Sequence, residues 1–197
     1  MTVLRTLLLL LFCNMAFATE DSPETMLAFI SRELVVSSNL RGDFSQRKYL
    51  SFVDKPFVSS GQFRLDRESG LFWHVIEPLE STMLVKEGRI FLDGKPVEDQ
   101  GVGKLITIVM LGFMEGNLSG LTEVFSVSTE GVADGWSVSL TPRSSRLRAA
   151  IALIRIQGKH HLSSIEIVDA EQNRTLMQFS NVRSGSEEVV PRDKPQR

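Results

Sequence analysis

The chain has 197 residues, 42% hydrophobic and 23% charged, with a formal net charge of −2 at pH 7. Such a balance suits one globular domain of ordinary composition. It excludes a polycation built to coat nucleic acid or anionic lipid, because there is no overall excess of lysine and arginine.

Residues 1–18, MTVLRTLLLLLFCNMAFA, read as a secretory signal peptide. Arg5 supplies the basic start, Leu7 to Cys13 the apolar run, and Ala16-Phe17-Ala18 a small-x-small cleavage site. A membrane anchor is the rival reading, but the apolar run falls well short of the ~20 residues that span a bilayer. Cys13 is the only cysteine. Bulky Phe12 before it fits poorly with the small residue that lipid modification of a cysteine requires, so Cys13 is expected to leave with the leader. The exported chain then has no disulfide, and its stability must come from burial.

The mature chain opens on a helix. Ser22-Pro23-Glu24 is a start signal, and Met26, Leu27, Ile30, Leu34 and Val35 recur at helical spacing up to Ser37-Ser38-Asn39. Three strands follow, at Asp43–Val53, Val58–Asp66 and Leu71–Ile76, punctuated by Asp54-Lys55-Pro56 and Arg67-Glu68-Ser69-Gly70. Alternation places Phe63, Leu65 and Arg67 on one face, and Leu71, Trp73 and Val75 on one face of the next strand. Together they form an apolar wall with one cation at its rim. Ser81–Lys86, carrying Met83 and Val85, and Arg89–Leu92 continue the pattern across Glu87-Gly88, and Pro96–Gly103 reads as a loop.

Lys104 to Met114, KLITIVMLGFM, is apolar on almost every side and is followed by the stop signal Glu115-Gly116-Asn117. As a helix it must be covered both by a sheet and by a second element or a ligand. A buried strand is the alternative that its Ile and Val residues allow. Gly120–Val124 reads as a short helical turn. Strands are expected again at Phe125–Thr129, Trp136–Leu140, Ala149–Ile156, His161–Val168 and Arg174–Val182. About ten strands in one continuous meander must curl or split, so the fold expected is mainly β: a curved antiparallel sheet forming an open half-barrel, lidded by short helices. The domain organisation is then a leader at 1–18, one domain at 19–183 and a charged, mobile tail at 184–197.

Catalytic chemistry has no foothold. The mature chain offers no cysteine nucleophile, phosphate-cradling loop or metal-ligand spacing, so no enzyme, cofactor or metal site is expected. His160 and His161, adjacent in a strand, would point to opposite faces and read as surface residues. Asp66 with Glu68 reads as a charged turn, and Arg143, Arg146, Arg148 and Arg155 as a solvated basic face. Asn117-Leu118-Ser119 and Asn173-Arg174-Thr175 match glycosylation acceptors.

The ordered set Phe44-x-Gln46-x-Lys48, Gly61-x-Phe63, Arg67-x-x-x-Leu71-x-Trp73-x-x-x-x-Pro78 and Trp136-x-x-x-Leu140-x-Pro142-Arg143 resembles the LolA family of periplasmic lipoprotein carriers. The resemblance covers roughly residues 22–182. It implies a half-barrel whose interior, here Phe63, Leu65, Leu71, Trp73, Val75, Met83 and Val85, shields the acyl chains of a lipoprotein. It further implies helices lidding that interior through Leu27, Ile30, Leu34, Ile106, Met110 and Phe113, with Arg67 as the residue that latches the lid to its backbone carbonyls. The implied partners are an acylated lipoprotein cargo, an inner-membrane ABC transporter as donor and an outer-membrane receptor lipoprotein as acceptor, in the periplasm of a Gram-negative bacterium. A monomer that binds no nucleic acid is expected. The alternatives are a carrier for another acylated molecule or a glycolipid, or a non-catalytic envelope interaction protein on the same scaffold. An apolar cavity of several hundred Å³ between lid and sheet separates a carrier from a solid scaffold.

Overall fold

The structure, a computed structural model, describes residues 23–34, 39–66, 68–87, 89–98, 101–132 and 135–185. The leader, Val35, Arg67, the side chain of Ile106 and the tail from 186 onward lie outside the described residues.

Helix α1 (Pro23–Glu33) begins on the proline, with Glu24 in its first turn and Arg32 in its last, each charge placed to complement the helix dipole. An 11-residue helix is marginal alone. Burying Leu27, Ile30 and Leu34 against the sheet contributes about 5–9 kcal/mol gross, which holds it in place.

Strands β1 (Asn39–Tyr49), β2 (Phe57–Asp66), β3 (Gly70–Glu77), β4 (Ser81–Lys86), β5 (Arg89–Leu92) and β6 (Lys95–Pro96) run outward to one edge of the sheet. Helices α2 (Gly101–Glu115) and α3 (Leu121–Val124) then carry the chain to the opposite edge. From there β7 (Phe125–Val132), β8 (Gly135–Pro142), β9 (Ile151–Gly158), β10 (Leu162–Asp169) and β11 (Arg174–Ser184) return inward, with a one-turn helix α4 (Ser145–Arg148) between β8 and β9. The result is one 11-stranded antiparallel sheet, in order β6-β5-β4-β3-β2-β1-β11-β10-β9-β8-β7.

The expected half-barrel is present, but its strands do not form one continuous meander. Two meanders are joined where β1 pairs with β11, from Leu40↔Ser184 to Tyr49↔Arg174. That pairing closes almost the whole chain length into one contact, which a pattern of local turns does not specify.

Other boundaries moved for local reasons. The first strand starts at Asn39 and stops at Tyr49, because the Val53 amide bonds the Leu50 carbonyl at 3.1 Å and turns the chain before the Asp54-Lys55-Pro56 signal. Residues 101–103, read as loop, belong to α2, and 104–114 is a helix, not the alternative strand. The start of the expected strand at Ala149 is displaced by α4, whose Ser144 hydroxyl accepts from the Leu147 amide at 3.3 Å. His161 lies in the bend before β10, outside the strand expected to contain it.

An aromatic cluster sits at the centre of the concave face. Phe44 of β1 stacks on Trp73 of β3 with ring centroids 3.9 Å apart, and Phe63 and Phe179 close around them at 5.6–6.1 Å. Gly61, opposite Phe44 in register, leaves the room this stack needs. A Cβ there would lie 1.9 Å from the His74 carbonyl oxygen and 2.9 Å from the Phe44 ring. The Gly61-x-Phe63 spacing therefore has a packing cause.

Candidate binding cavity

Along β1, β10 and β11 the inward-facing side chains change character from one end to the other. Phe44, Ile165 and Phe179 are apolar and buried, whereas Gln46 and Lys48, Asp169, and Thr175 follow on the same faces. The concave face therefore has a greasy centre and a polar end. Over it lies α2, which terminates in a Schellman motif: Gly116 is left-handed at φ 70° and the Asn117 amide reaches back to the Gly112 carbonyl at 2.8 Å. The Ser31 hydroxyl of α1 donates to the Gly116 carbonyl, tying the two helices together.

Helix α2 is covered on most of its circumference. Val109, Met110, Phe113 and Met114 are buried and Leu105 and Leu111 half-buried, while Ile108 is exposed. Phe113 stacks on Trp136 of β8 with centroids 5.4 Å apart. Towards β3 and β4 the contact is not solid. A cavity of about 470 Å³ opens there, roofed by Thr107 and Met110 of α2. Trp73, Val75, Met83, Ile151, Ile167 and Met177 form its apolar wall, and Gln46, Lys48, Asp169, Asn173 and Thr175 its polar mouth.

The residues read from the sequence divide accordingly. Trp73, Val75 and Met83 line the cavity, and Met110 roofs it. Phe63, Leu65, Leu71 and Val85 pack in the core beside it, as do Leu27 and Ile30 of α1, Leu34 just after it, and Phe113 of α2. Sequence reasoning missed the wall contributed by β9–β11 and the whole polar mouth. Period-2 alternation carried the signal for the former, but nothing in the sequence says that β10 and β11 face α2 beside β3.

Asn173 also departs from its motif. It is buried, with its Nδ2 donating to Asp169 Oδ2 at 2.9 Å and its Oδ1 accepting from the Ser51 amide at 3.0 Å, so it braces the mouth and is not an exposed glycosylation acceptor. In the basic run Arg143, Arg146 and Arg148 are exposed, as a solvated face requires, yet several of its members also hold backbone or an acid. Arg143 Nε donates to the Thr122 and Phe125 carbonyls, both at 2.9 Å, Arg148 donates to the Pro142 and Arg143 carbonyls, and Arg155 pairs with Glu166.

Two titrations are displaced. Asp66 is held below its ordinary value chiefly by the Ser69 amide and hydroxyl, which donate to Oδ1 at 2.7 and 2.8 Å. The Glu68 amide also donates to this Oδ1, at 3.0 Å. His161 is lowered by burial and then by His160. Among the described residues no cluster of histidine, cysteine or carboxylate groups could hold a metal ion.

Fold and site together define an open antiparallel half-barrel with a helical lid over a hollow, apolar interior. The family model "Outer membrane lipoprotein carrier protein LolA" matches residues 36–188, and the chain belongs to that family. It is 22% identical to an outer-membrane lipoprotein carrier protein of Pseudomonas fluorescens, over 98% of this chain and 93% of that protein. Similar solved structures include a LolA superfamily protein from Nitrosomonas europaea (9% identity, 85% of this chain and 95% of that one, TM-score 0.46). A DUF1329 family protein from Desulfovibrio piger is similar too (10% identity, 83% and 92%, TM-score 0.44).

Proposed function

We propose that this chain carries the acyl chains of lipoproteins through the periplasm, sheltering them in the hollow beneath α2. The observation that supports this most is the unfilled 470 Å³ between a lid helix and an apolar wall. Its wall of Trp73, Val75, Met83, Ile151, Ile167 and Met177 offers hydrocarbon an apolar surface beside the helix, which a protein using the half-barrel only as a scaffold does not need. The reading is of a carrier and not of an enzyme, which the family's description as a lipoprotein carrier supports.

Each methylene moved out of water gains about 0.8 kcal/mol, so several chains would bind too tightly to be handed on. A lid that covers the empty cavity lowers that affinity, because opening it costs free energy that is subtracted from binding. Arg67 is proposed as the latch that sets this cost. The leader at 1–18 would direct export and be removed, leaving one domain and a short charged tail. Loading from an inner-membrane ABC transporter and delivery to an outer-membrane receptor lipoprotein complete the reading.

Mass spectrometry of molecules co-purifying with the protein from its native envelope tests it. A lipoprotein, or an acylated peptide fragment of one, is the expected cargo, and Val75→Asp, which puts a carboxylate in the half-buried wall, should lose it while keeping the β-sheet circular dichroism. Recovery of a glycolipid instead would replace the cargo with the specialised alternative. Recovery of nothing acylated, with equal behaviour of wild type and variant, would favour the scaffold.

A further inference from the structure

Of the ten large apolar side chains that stand exposed among the described residues, six fall in two short runs. Phe52, Val53, Phe57 and Val58 surround the β1–β2 turn, and Ile76 and Leu79 the β3–β4 turn. Scattered singly, such residues need no explanation. These are neighbours, because the register Ser60↔Glu77 ends β3 beside Ser60 and sets the turn at 78–80 alongside the first residues of β2. Phe52 is 78% exposed and Leu79 79%. Both sit in turns, where glycine or a short polar residue is usual. The Phe52 turn is held at its base: the Val53 amide donates to the Leu50 carbonyl at 3.1 Å, and the Ser51 amide to Asn173 Oδ1 at 3.0 Å.

The two turns flank the cavity mouth. Lys48, which lines the mouth, pairs with Phe57, and Ser81, two residues after Leu79, pairs with Val75 of the wall. From their exposed fractions the six side chains present on the order of 600 Å² of apolar surface. That is a large patch for a chain on its own, yet less than the ~800 Å² that each partner gives to a stable protein–protein interface. The charges set among the six balance, with Arg47, Lys48 and Lys55 against Asp54, Glu77 and Glu80. A bilayer of zwitterionic lipid suits all of this. It takes up apolar turns without a matching shape, and it asks for no net charge.

We propose that the turns carrying Phe52 and Leu79 insert into the surface layer of a zwitterionic lipid bilayer. The cavity mouth between them then opens onto lipid, and an acyl chain passes in or out without crossing water. The passage of the chain rests on the carrier reading above, whereas the insertion stands on the exposed turns alone.

Flotation of the protein, recovered from its native envelope, with phosphatidylcholine vesicles at low and high salt tests this. Wild type should float with the vesicles at both. Phe52→Ser combined with Leu79→Ser should weaken binding by ~10-fold or more, since withdrawing one large apolar side chain from water is worth about that factor. Both positions are exposed, so the β-sheet circular dichroism should be kept. Phe29→Ser, exposed on α1 and in neither turn, should leave binding unchanged. Absence of wild-type binding, its loss at high salt or an equal loss in Phe29→Ser overturns the proposal. So does concentration-dependent pairing in solution that the double substitution removes, which would assign the turns to a second copy of the chain. Uptake of a short acyl chain from detergent, measured on the same proteins, separates insertion from the carrier reading. Uptake kept by the double variant while vesicle binding is lost supports insertion at the turns. Uptake by a wild type that binds no vesicles overturns insertion and leaves the carrier, and vesicle binding by a wild type that takes up no acyl chain supports insertion and refutes the carrier.

Discussion

Arg143 shows how much a single side chain can decide. Its guanidinium reaches the carbonyls of Thr122 and Phe125, at the point where α3 gives way to β7, and its own amide donates to the Val124 carbonyl at 3.0 Å. The Thr122 carbonyl belongs to the one-turn helix, where carbonyls lack intrahelical partners, and the Phe125 carbonyl to the first residue of β7. Arg143→Met keeps the aliphatic stem but leaves two acceptors without this donor. Arg143 is exposed, so a loss of about 0.5–1.5 kcal/mol is expected, read as a lower urea midpoint at unchanged slope. An unchanged midpoint would show that water replaces the arginine at no cost. The resemblance singles out Arg143 and not Arg146, but its task is not readable in advance, because the difference lies in which carbonyls come within reach. At Asp66, by contrast, the Asp-x-x-Ser spacing already reads as a turn, and the structure supplies its bonds.

At the scale of elements, α2 is decisive. Its all-round apolar sequence says that it must be covered, and its Gly116 stop is visible in advance. What covers each face is not visible. Phe113 stacks on Trp136, while Thr107 and Met110 border the cavity, so one stretch of the helix packs on the sheet and another adjoins open space. The proposed function needs this element to lift without unfolding the sheet. If Arg67 latches it, Arg67→Leu should leave the fold intact, load cargo and fail to release it. Transfer of cargo from the variant to acceptor membranes at the wild-type rate would refute the latch.

At the scale of the whole molecule, occupancy of the cavity should appear as stability. A ligand that binds only the folded chain adds about 2.7 kcal/mol at one hundred times its Kd, worth several degrees in a chain of this size. Delipidated protein titrated with a short diacyl lipopeptide should therefore melt progressively higher, as followed by scanning calorimetry. A flat melting temperature across the titration would mean that the hollow does not take acyl chains.

The strands, their turns, the two lid helices and the apolar character of the interior were set by local chemistry: alternation of side chains, left-handed or proline-bearing turns and helix stop signals act over a few residues and can be read off the chain. The joining of β1 to β11, the convergence of Trp73 and Met83 with Ile151, Ile167 and Met177 around one space, and the polar mouth were decided only in three dimensions. Each brings together residues far apart in the chain. Register and curvature of the closed sheet determine which of them meet, and the linear pattern does not encode those quantities.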